Sequence, residues 1–489
     1  MNPWKFYGRQ EQLTALERIL NRRRWFFAKV AGRRRIGKTA LIQQAMQAIG
    51  ARNPVLYLQV PDSEPVGVVS AANDALDTFH VPADRYPRPR SLPQLVKLLE
   101  TMMEGGYVAI LDEFQYVNRR GCEEFCSLLQ AAVDRLATKA DHVQGGLIVL
   151  GSIYTEMTAL LEDRTAPLYN RVTDTLDLTH LDIKSLLDIL RDHADPSPER
   201  LLFLWNLFEG VPKFYRDCYE QGVLGADRAI LLRRIFFESS SPLRTEAENW
   251  FLRELRGRYD VVLKFVARNP GRMHNELVQA IREASGNPET QIGGYLKVLI
   301  ERFRLIEKKL PVFAKPEAKR SRYYVTDNFL QSWLAALANP VSAIAFRPVE
   351  QLVQEADERL REIEGLALEK LAGRLYEERS RKQVGDFPLT MQMNGYWDRG
   401  DTEIDLVAVN HDNKIIRFGS CKRSPERLVA DINAFKSHVD RFLTTFPKYA
   451  GWKHEYVGIA PALSPDQRRV LKRHDMISQD LNDLTSDLG

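Results

Sequence analysis

The stretch "GRRRIGKT", Gly32 to Thr39, decides the fold. Before it stands "RWFFAKVAG", an apolar run of strand length. After it comes "TALIQQAMQAI", with apolar residues at helical spacing. Strand, glycine-bounded turn and helix together make a wrap for an anionic phosphate. Glycines at both ends let the backbone close around the anion, and the amides that open the helix point at it with the positive end of the helix dipole. The spacing GxxxxGKT then assigns roles. Gly32, Arg35, Ile36, Gly37 and Ala40 form the loop and its exit into the helix. Lys38 reaches the β- and γ-phosphates of a nucleoside triphosphate, and the Thr39 hydroxyl is offered to Mg²⁺.

Outward from this loop, short apolar runs alternate with helical segments. "PVLYLQV", "YVAILDEF" and "GGLIVLGSI" read as strands and "SLPQLVKLLETMM" as a helix. Such alternation predicts an α/β fold whose parallel sheet is covered on both faces. "YVAILDEF" supplies the partner of the phosphate loop. Asp112, at the strand end, is placed to orient a water of the Mg²⁺ shell, and Glu113 to activate the attacking water as general base. A passive nucleotide binder has no need of Glu113. Ser152, where "LIVLGSI" ends, is a small polar group able to sense the γ-phosphate or the water.

At 489 residues the chain exceeds one ordinary domain, and three or four are expected. Its 44% hydrophobic and 27% charged residues suit packed cores and exclude a wholly disordered chain. A net charge of +4 does not mark a nucleic-acid binder by itself; the clustering of the basic residues matters more. The cysteines, Cys122, Cys126, Cys218 and Cys421, are too scattered for a disulfide framework and predict reduced thiols. No apolar run has membrane-spanning length, and "MNPWKFYGRQ" lacks a signal peptide's apolar core, so a cytoplasmic protein without membrane partners is expected.

The ordered segments "FYGRQEQL", "GRRRIGKT", "LDEFQ", "LGSIYTEM", "APLYNR" and "FEGVPKFY" resemble the archaeal-type ATPase family, a signal-transducing (STAND) branch of the AAA+-like P-loop ATPases that also occurs in bacteria. The resemblance covers the first half of the chain. It implies ATP as the nucleotide, with Tyr7, Gly8 and Arg9 bordering the adenine pocket and Pro212, at the start of a helical lid, near the base or ribose. It also implies that Arg171 meets the γ-phosphate, in cis or from a neighbouring subunit. Asn170 stands where the family usually has glycine.

From Leu181 to Leu255 the pattern is almost wholly helical. Three short helices and the hairpin "IEKKLPVFAKPEAKRSRYYVTD" follow, which is the layout of a winged helix. Its tip carries Lys315, Lys319, Arg320 and Arg322 against one acid and suits phosphate or minor-groove contact with DNA; winged helices also serve as rigid spacers. "NPVSAIAFRP" reads as a linker. Beyond it, "EGLALEKLAGRLYEE" and "TEIDLVAVNHDNKIIRFGSCKRSP" resemble a C-terminal domain of unknown function related to the PD-(D/E)xK restriction-endonuclease-like fold. That resemblance implies that Glu369 and Asp405 hold Mg²⁺ or its water and that Lys422 stabilises the attacked phosphate. Strand alternation predicts one face for Asp401, Glu403 and Asp405, and one for Ser420 and Lys422. The family has an acid where this chain has Ser420. The site is thus one carboxylate short, which favours a nuclease fold kept for binding over one that cuts.

These readings predict a P-loop ATPase core over 1–180, a helical lid over 181–257, a winged helix over 258–338 and a nuclease-like α/β domain over 339–489. The expected function is that of an ATP-hydrolysing regulator, using ATP and Mg²⁺, whose nucleotide state controls a C-terminal module that binds DNA or a protein partner, with oligomerisation left open. Two other readings stand beside it: an active ATP-regulated, Mg²⁺-dependent DNA endonuclease, and a non-enzymatic ATP-dependent switch or scaffold.

Overall fold

The strand expected before the phosphate loop is β1, Phe26–Gly32, and it is the second strand from one edge of a five-stranded sheet. The computed structural model describes residues 2–49, 54–152, 154–247, 255, 258–285, 292–318 and 320–488. The chain divides into two compact units. One comprises Lys5–Leu181 with Val211–Lys213; the other comprises Met1–Trp4, Asp182–Gly210 and Phe214–Gly489.

In the first unit β1 is joined by β2 (Val55–Gln59), β3 (Val108–Asp112), β4 (Gly146–Gly151) and β5 (Asp174–Leu178). The order is β2-β3-β4-β1-β5 and every pairing is parallel. Both faces are buried, as the apolar runs predict. Phe26, Ala28 and Val30 enter a core with Leu16, Leu41 and Ile42, while Phe27 enters the opposite core with Leu95, Leu129 and Leu147. β4 lies between β1 and β3, so the phosphate loop and the acids of β3 leave the same end of the sheet one strand apart. The carboxyl ends of parallel strands are where such sheets hold ligands.

The second unit begins with the expected helical segment: Ile183–His193, Pro198–Phe208, Pro212–Glu220 and Arg228–Leu232. Next come helices Arg258–Arg268, His274–Ser285 and Ile292–Lys297, with a small antiparallel sheet of β6 (Arg272–Met273), β7 (Ile306–Lys309) and β8 (Arg322–Val325) in the order β6-β8-β7. The stretch expected as a linker contains a helix, Ala338–Ser342, and is followed by the 33-residue helix Val349–Arg381. That helix leads into a second five-stranded sheet: β9 (Asn394–Trp397), β10 (Glu403–Asn410), β11 (Ile415–Cys421), β12 (Lys453–Ala460) and β13 (Met476–Asp480), in the order β13-β12-β11-β10-β9. β9, β10 and β11 run antiparallel, whereas β11, β12 and β13 run parallel. β9 and β13 escape the sequence reading because they are short edge strands, and "MISQD" is largely polar.

The β7–β8 hairpin is anchored at its base. Val312 enters the core of the second sheet with Phe418 and Phe442, its amide donates to Gly395 O at 2.8 Å, and the Phe313 ring stacks on Tyr449 with centroids 4.8 Å apart.

Candidate functional site

The residues predicted around the phosphate loop meet at the carboxyl ends of β1, β3 and β4. Gly32 has φ 154 and Gly37 φ 94. A Cβ on Gly32 would stand 2.6 Å from Leu178 O, so only glycine lets β1 turn into the loop beside β5. Lys38 is buried and folds back over the loop, donating to Gly32 O at 3.0 Å, Arg33 O at 3.1 Å and Ser152 Oγ at 3.1 Å. Thr39 Oγ1 donates to Asp112 Oδ2 at 2.9 Å. Glu113 sits in the left-handed region at φ 53. Its carboxylate accepts from Ser152 Oγ, 3.2 Å to each oxygen, and from Gln115 Nε2. A hydrogen-bonded chain therefore joins loop lysine, strand-end serine and candidate base. The hydroxyl of Thr39 and the carboxylate of Asp112 are hard oxygen donors, a set that fits Mg²⁺, and Mg²⁺ bound there would neutralise charge on the phosphates.

Burial pulls the Lys38 ammonium down to about 8, against the opposing pull of Glu113 and Asp112. Triphosphate oxygens beside it would raise it again. The sign follows from linkage: at pH above about 8 the free site has lost this proton and must regain it to bind, so ATP affinity falls as pH rises through that range. Calorimetry in buffers of different ionisation enthalpy should detect proton uptake at about pH 9 and none at about pH 6.5. Binding without uptake at the higher pH would remove Lys38 from the phosphate contact.

Two residues of this site have no signal in the linear sequence. Tyr57 of β2 donates its hydroxyl to Asp112 Oδ2 at 2.6 Å. Gln115 is fully buried and holds Glu113. That Tyr57 neighbours Asp112 becomes known only once β2 is paired with β3.

Gly8 and Arg9, with φ 65 and 64, turn the chain so that the Arg9 guanidinium donates to Ile36 O at 3.2 Å and also to Thr179 O. The segment of Tyr7 is thereby tied to the phosphate loop. Pro212 also comes to the loop: a Cβ on Gly37 would lie 3.6 Å from its Cγ. Arg171 forms a fork on Asp134, at 2.7 and 3.0 Å, and donates to Tyr169 O. Asn170 has φ 58, the conformation that favours glycine, and asparagine is among the side chains that tolerate it.

The second unit brings together three of the four C-terminal candidates. Asp405 Oδ2 accepts from Lys422 Nζ at 2.9 Å and from the Cys421 amide at 2.7 Å. Glu369, on the helix Val349–Arg381, lines the same cavity of about 210 Å³ as Asp405 and Glu403. Burial, and then the charge of Asp405, pushes Glu369 well above the usual carboxylate range against the pull of Lys422. Burial also raises Asp405 despite Lys422 and the Cys421 amide. The oxygens of Glu369, Asp405 and Glu403 do not all lie within 4.8 Å of one another. Glu403 is drawn away by Arg322, whose two terminal nitrogens donate to its carboxylate at 2.5 and 3.1 Å.

Strict alternation fails on β10. Its register against β9 shifts between Ile404 and Val407, and both residues enter the same core. Asp401 precedes the strand and so falls outside the single face expected for Asp401, Glu403 and Asp405, while Glu403 and Asp405 line one cavity. Ser420 stands apart from the other candidates. It pairs with Gly458, whose Cβ would meet Leu471 at 2.9 Å and Leu428 at 3.4 Å, in the core on the side of Phe418. Among the described residues its hydroxyl makes no hydrogen bond to Glu369, Asp405 or Lys422, and it does not line their cavity. Ser420→Glu is accordingly expected to bury a carboxylate among apolar side chains and to cost about 3 kcal/mol of stability. Thermal unfolding with a parallel Mn²⁺ titration checks this; tighter Mn²⁺ binding at an unchanged melting temperature would place Ser420 in the site after all.

On the hairpin, Lys315 is exposed, Arg320 O accepts from Trp397 Nε1 at 2.8 Å, and Arg322 lies over the Trp397 ring at 4.7 Å while forking Glu403. Lys319 lies outside the described residues. The basic tip is therefore partly committed to β9 and β10. Tyr295, on the helix Ile292–Lys297, packs edge-on against Tyr259 with ring centroids 5.3 Å apart.

Comparison with known proteins agrees with this architecture. A family model described as DUF234, archaea bacterial proteins of unknown function, matches residues 333–432. An uncharacterized protein of Methanocaldococcus jannaschii is 25% identical over 421 residues, 85% of this chain and 87% of that one. The Walker-type ATPase of Pyrococcus abyssi superposes with a TM-score of 0.50 at 19% identity, covering 67% of this chain and 96% of its own. The ORC2 protein of Aeropyrum pernix, solved in ADPNP–ADP complexes, gives a TM-score of 0.47 at 14% identity over 74% of this chain and 96% of its own. The likeness to the Pyrococcus ATPase is one of fold, and the sheet it concerns is parallel and α/β.

Proposed function

We propose that this chain binds and hydrolyses ATP with Mg²⁺ and that its nucleotide state controls the C-terminal unit. The observation that carries the proposal is the convergence of Lys38, Thr39, Asp112, Glu113 and Ser152 at one end of the first sheet. Lys38 binds the β- and γ-phosphates, the Thr39–Asp112 pair holds Mg²⁺, and Glu113 takes the proton of the water that attacks the γ-phosphorus as the bond to the β-phosphate oxygen breaks. Ser152 joins Lys38 to Glu113 and is placed to follow the γ-phosphate. Release of phosphate from ATP by the purified chain, dependent on Mg²⁺, tests the reading. Absence of both ATP binding and turnover would refute it.

The C-terminal unit is read as a winged helix followed by a PD-(D/E)xK-like domain that contacts DNA or a partner. Glu369, Asp405 and Lys422 support a site for a divalent cation and a phosphodiester, while the inward-facing Ser420 supplies no further acid to it. The rival reading, an ATP-regulated endonuclease, is favoured by the Lys422–Asp405 ion pair, since a lysine beside a metal-binding acid suits a pentavalent phosphate. Nicking of supercoiled plasmid with Mg²⁺ or Mn²⁺, lost in Asp405→Asn, would decide for the rival.

A further inference from the structure

A fully buried carboxylate of the second unit belongs to neither site. Glu364, fully buried on the helix Val349–Arg381, has each carboxylate oxygen held by a different arginine. Arg228, from the helix Arg228–Leu232, donates to Oε1 at 2.5 Å, and Arg423 Nε donates to Oε2 at 2.8 Å. Arg228 also donates to Asp357 at 2.6 Å and lies 4.1 Å over the Phe203 ring. Arg423 reaches with its other arm to Glu199, at 2.7 Å, at the start of the helix Pro198–Phe208. Arg423 is the residue after Lys422, and Glu369 lies farther along the helix that carries Glu364. One network therefore spans the helical segment after the first sheet and both elements that carry the C-terminal candidates.

Val211–Lys213, between the helices Pro198–Phe208 and Pro212–Glu220, belongs to the first unit, and Pro212 packs beside Gly37. The turn is tied by the Tyr215 hydroxyl, which donates to Glu209 O at 2.7 Å.

We propose that the ion-pair chain Glu199–Arg423–Glu364–Arg228 carries the nucleotide state of the phosphate loop to the strand that ends in Lys422. The proposal rests on the reading of the loop as an ATP site. Apolar side chains would join the same elements without a desolvation penalty, so a fully buried carboxylate between two guanidiniums is a device for registry rather than for stability. Glu364 is removed from water and both of its oxygens are held by arginines. The helix Pro198–Phe208 therefore cannot shift against the helix Val349–Arg381 without drawing on Arg423, and through it on the backbone of Lys422. A movement of the loop at Gly37 on taking up the γ-phosphate reaches Pro212 first and then the two helices that flank it.

Hydrogen exchange of the full chain, with and without a non-hydrolysable ATP analogue and Mg²⁺, tests this. Wild type is expected to change the exchange rate of residues 415–424 at least about twofold on nucleotide binding, and Arg423→Gln to lose that response while still binding nucleotide. Glu199→Gln, at an exposed position, removes one link without burying a charge and is expected to weaken the response, which keeps the test informative if Arg423→Gln folds poorly. Calorimetry on the same samples separates the two ways to fail. Nucleotide bound by wild type with 415–424 unchanged, or a wild-type response in both variants, overturns the relay. No nucleotide bound overturns the loop reading, and the relay with it.

Discussion

Glu113→Gln is expected to bind ATP as wild type does and to hydrolyse it about 10²–10⁴-fold more slowly. Glutamine keeps the length and the two terminal atoms that the Ser152 hydroxyl and the Gln115 amide address, so the strand end stays in place. What it loses is the ability to take a proton. The left-handed conformation of Glu113 depends on its backbone, not on its charge, and survives the change. Single-turnover hydrolysis with a nucleotide-binding measurement on the same protein separates the outcomes. Turnover at the wild-type rate would mean that Glu113 is a structural acid held by Ser152, and the general base would have to be sought elsewhere.

Lys38→Ala is expected to fail one step earlier. Its ammonium is the only side chain of the loop seen donating at once to loop carbonyls and to Ser152 among the described residues. Triphosphate oxygens would take the place of those acceptors. Removing a charged donor of this kind costs about 1.5–3 kcal/mol of binding, or roughly a 10–150-fold weaker Kd, and abolishes hydrolysis because charge developing on the γ-phosphate is no longer met. The variant also leaves Gly32 O and Arg33 O without this donor, so its fold must be verified by circular dichroism before calorimetry. A folded Lys38→Ala protein with wild-type ATP affinity would remove the loop from the nucleotide site.

The two predictions differ in what each residue does before ATP arrives. Lys38 and Glu113 are joined through Ser152. One hydroxyl thereby links the loop lysine to the candidate base.

The phosphate site was legible in the sequence because its chemistry is local. GxxxxGKT sets strand, turn and helix within a few residues, and each strand that brings Asp112, Glu113 or Ser152 announces itself as an apolar run with a polar end. Parallel strands present their carboxyl ends together, so residues far apart in the chain converge without further instruction. Tyr57 and Gln115 were not legible, since their roles depend on which strand neighbours which and on a backbone turn at Glu113. At the C-terminal site the meeting of Asp405 with Lys422 was implied by the family resemblance alone, and period-two alternation held over only part of the strand. Asp401 lies before the strand, the register slips between Ile404 and Val407, and the pairing of Ser420 with Gly458 sends that side chain into the apolar core. Alternation is a rule for an unbroken ladder, and a bulge cancels it by one residue. The commitment of Arg322 to Glu403, and of Arg423 to Glu364 and Glu199, lies between segments distant in the chain. Composition shows that charges are present. Only the tertiary structure decides which opposite charge each one meets, because ion pairs select partners by proximity and desolvation, and neither is encoded at a fixed spacing.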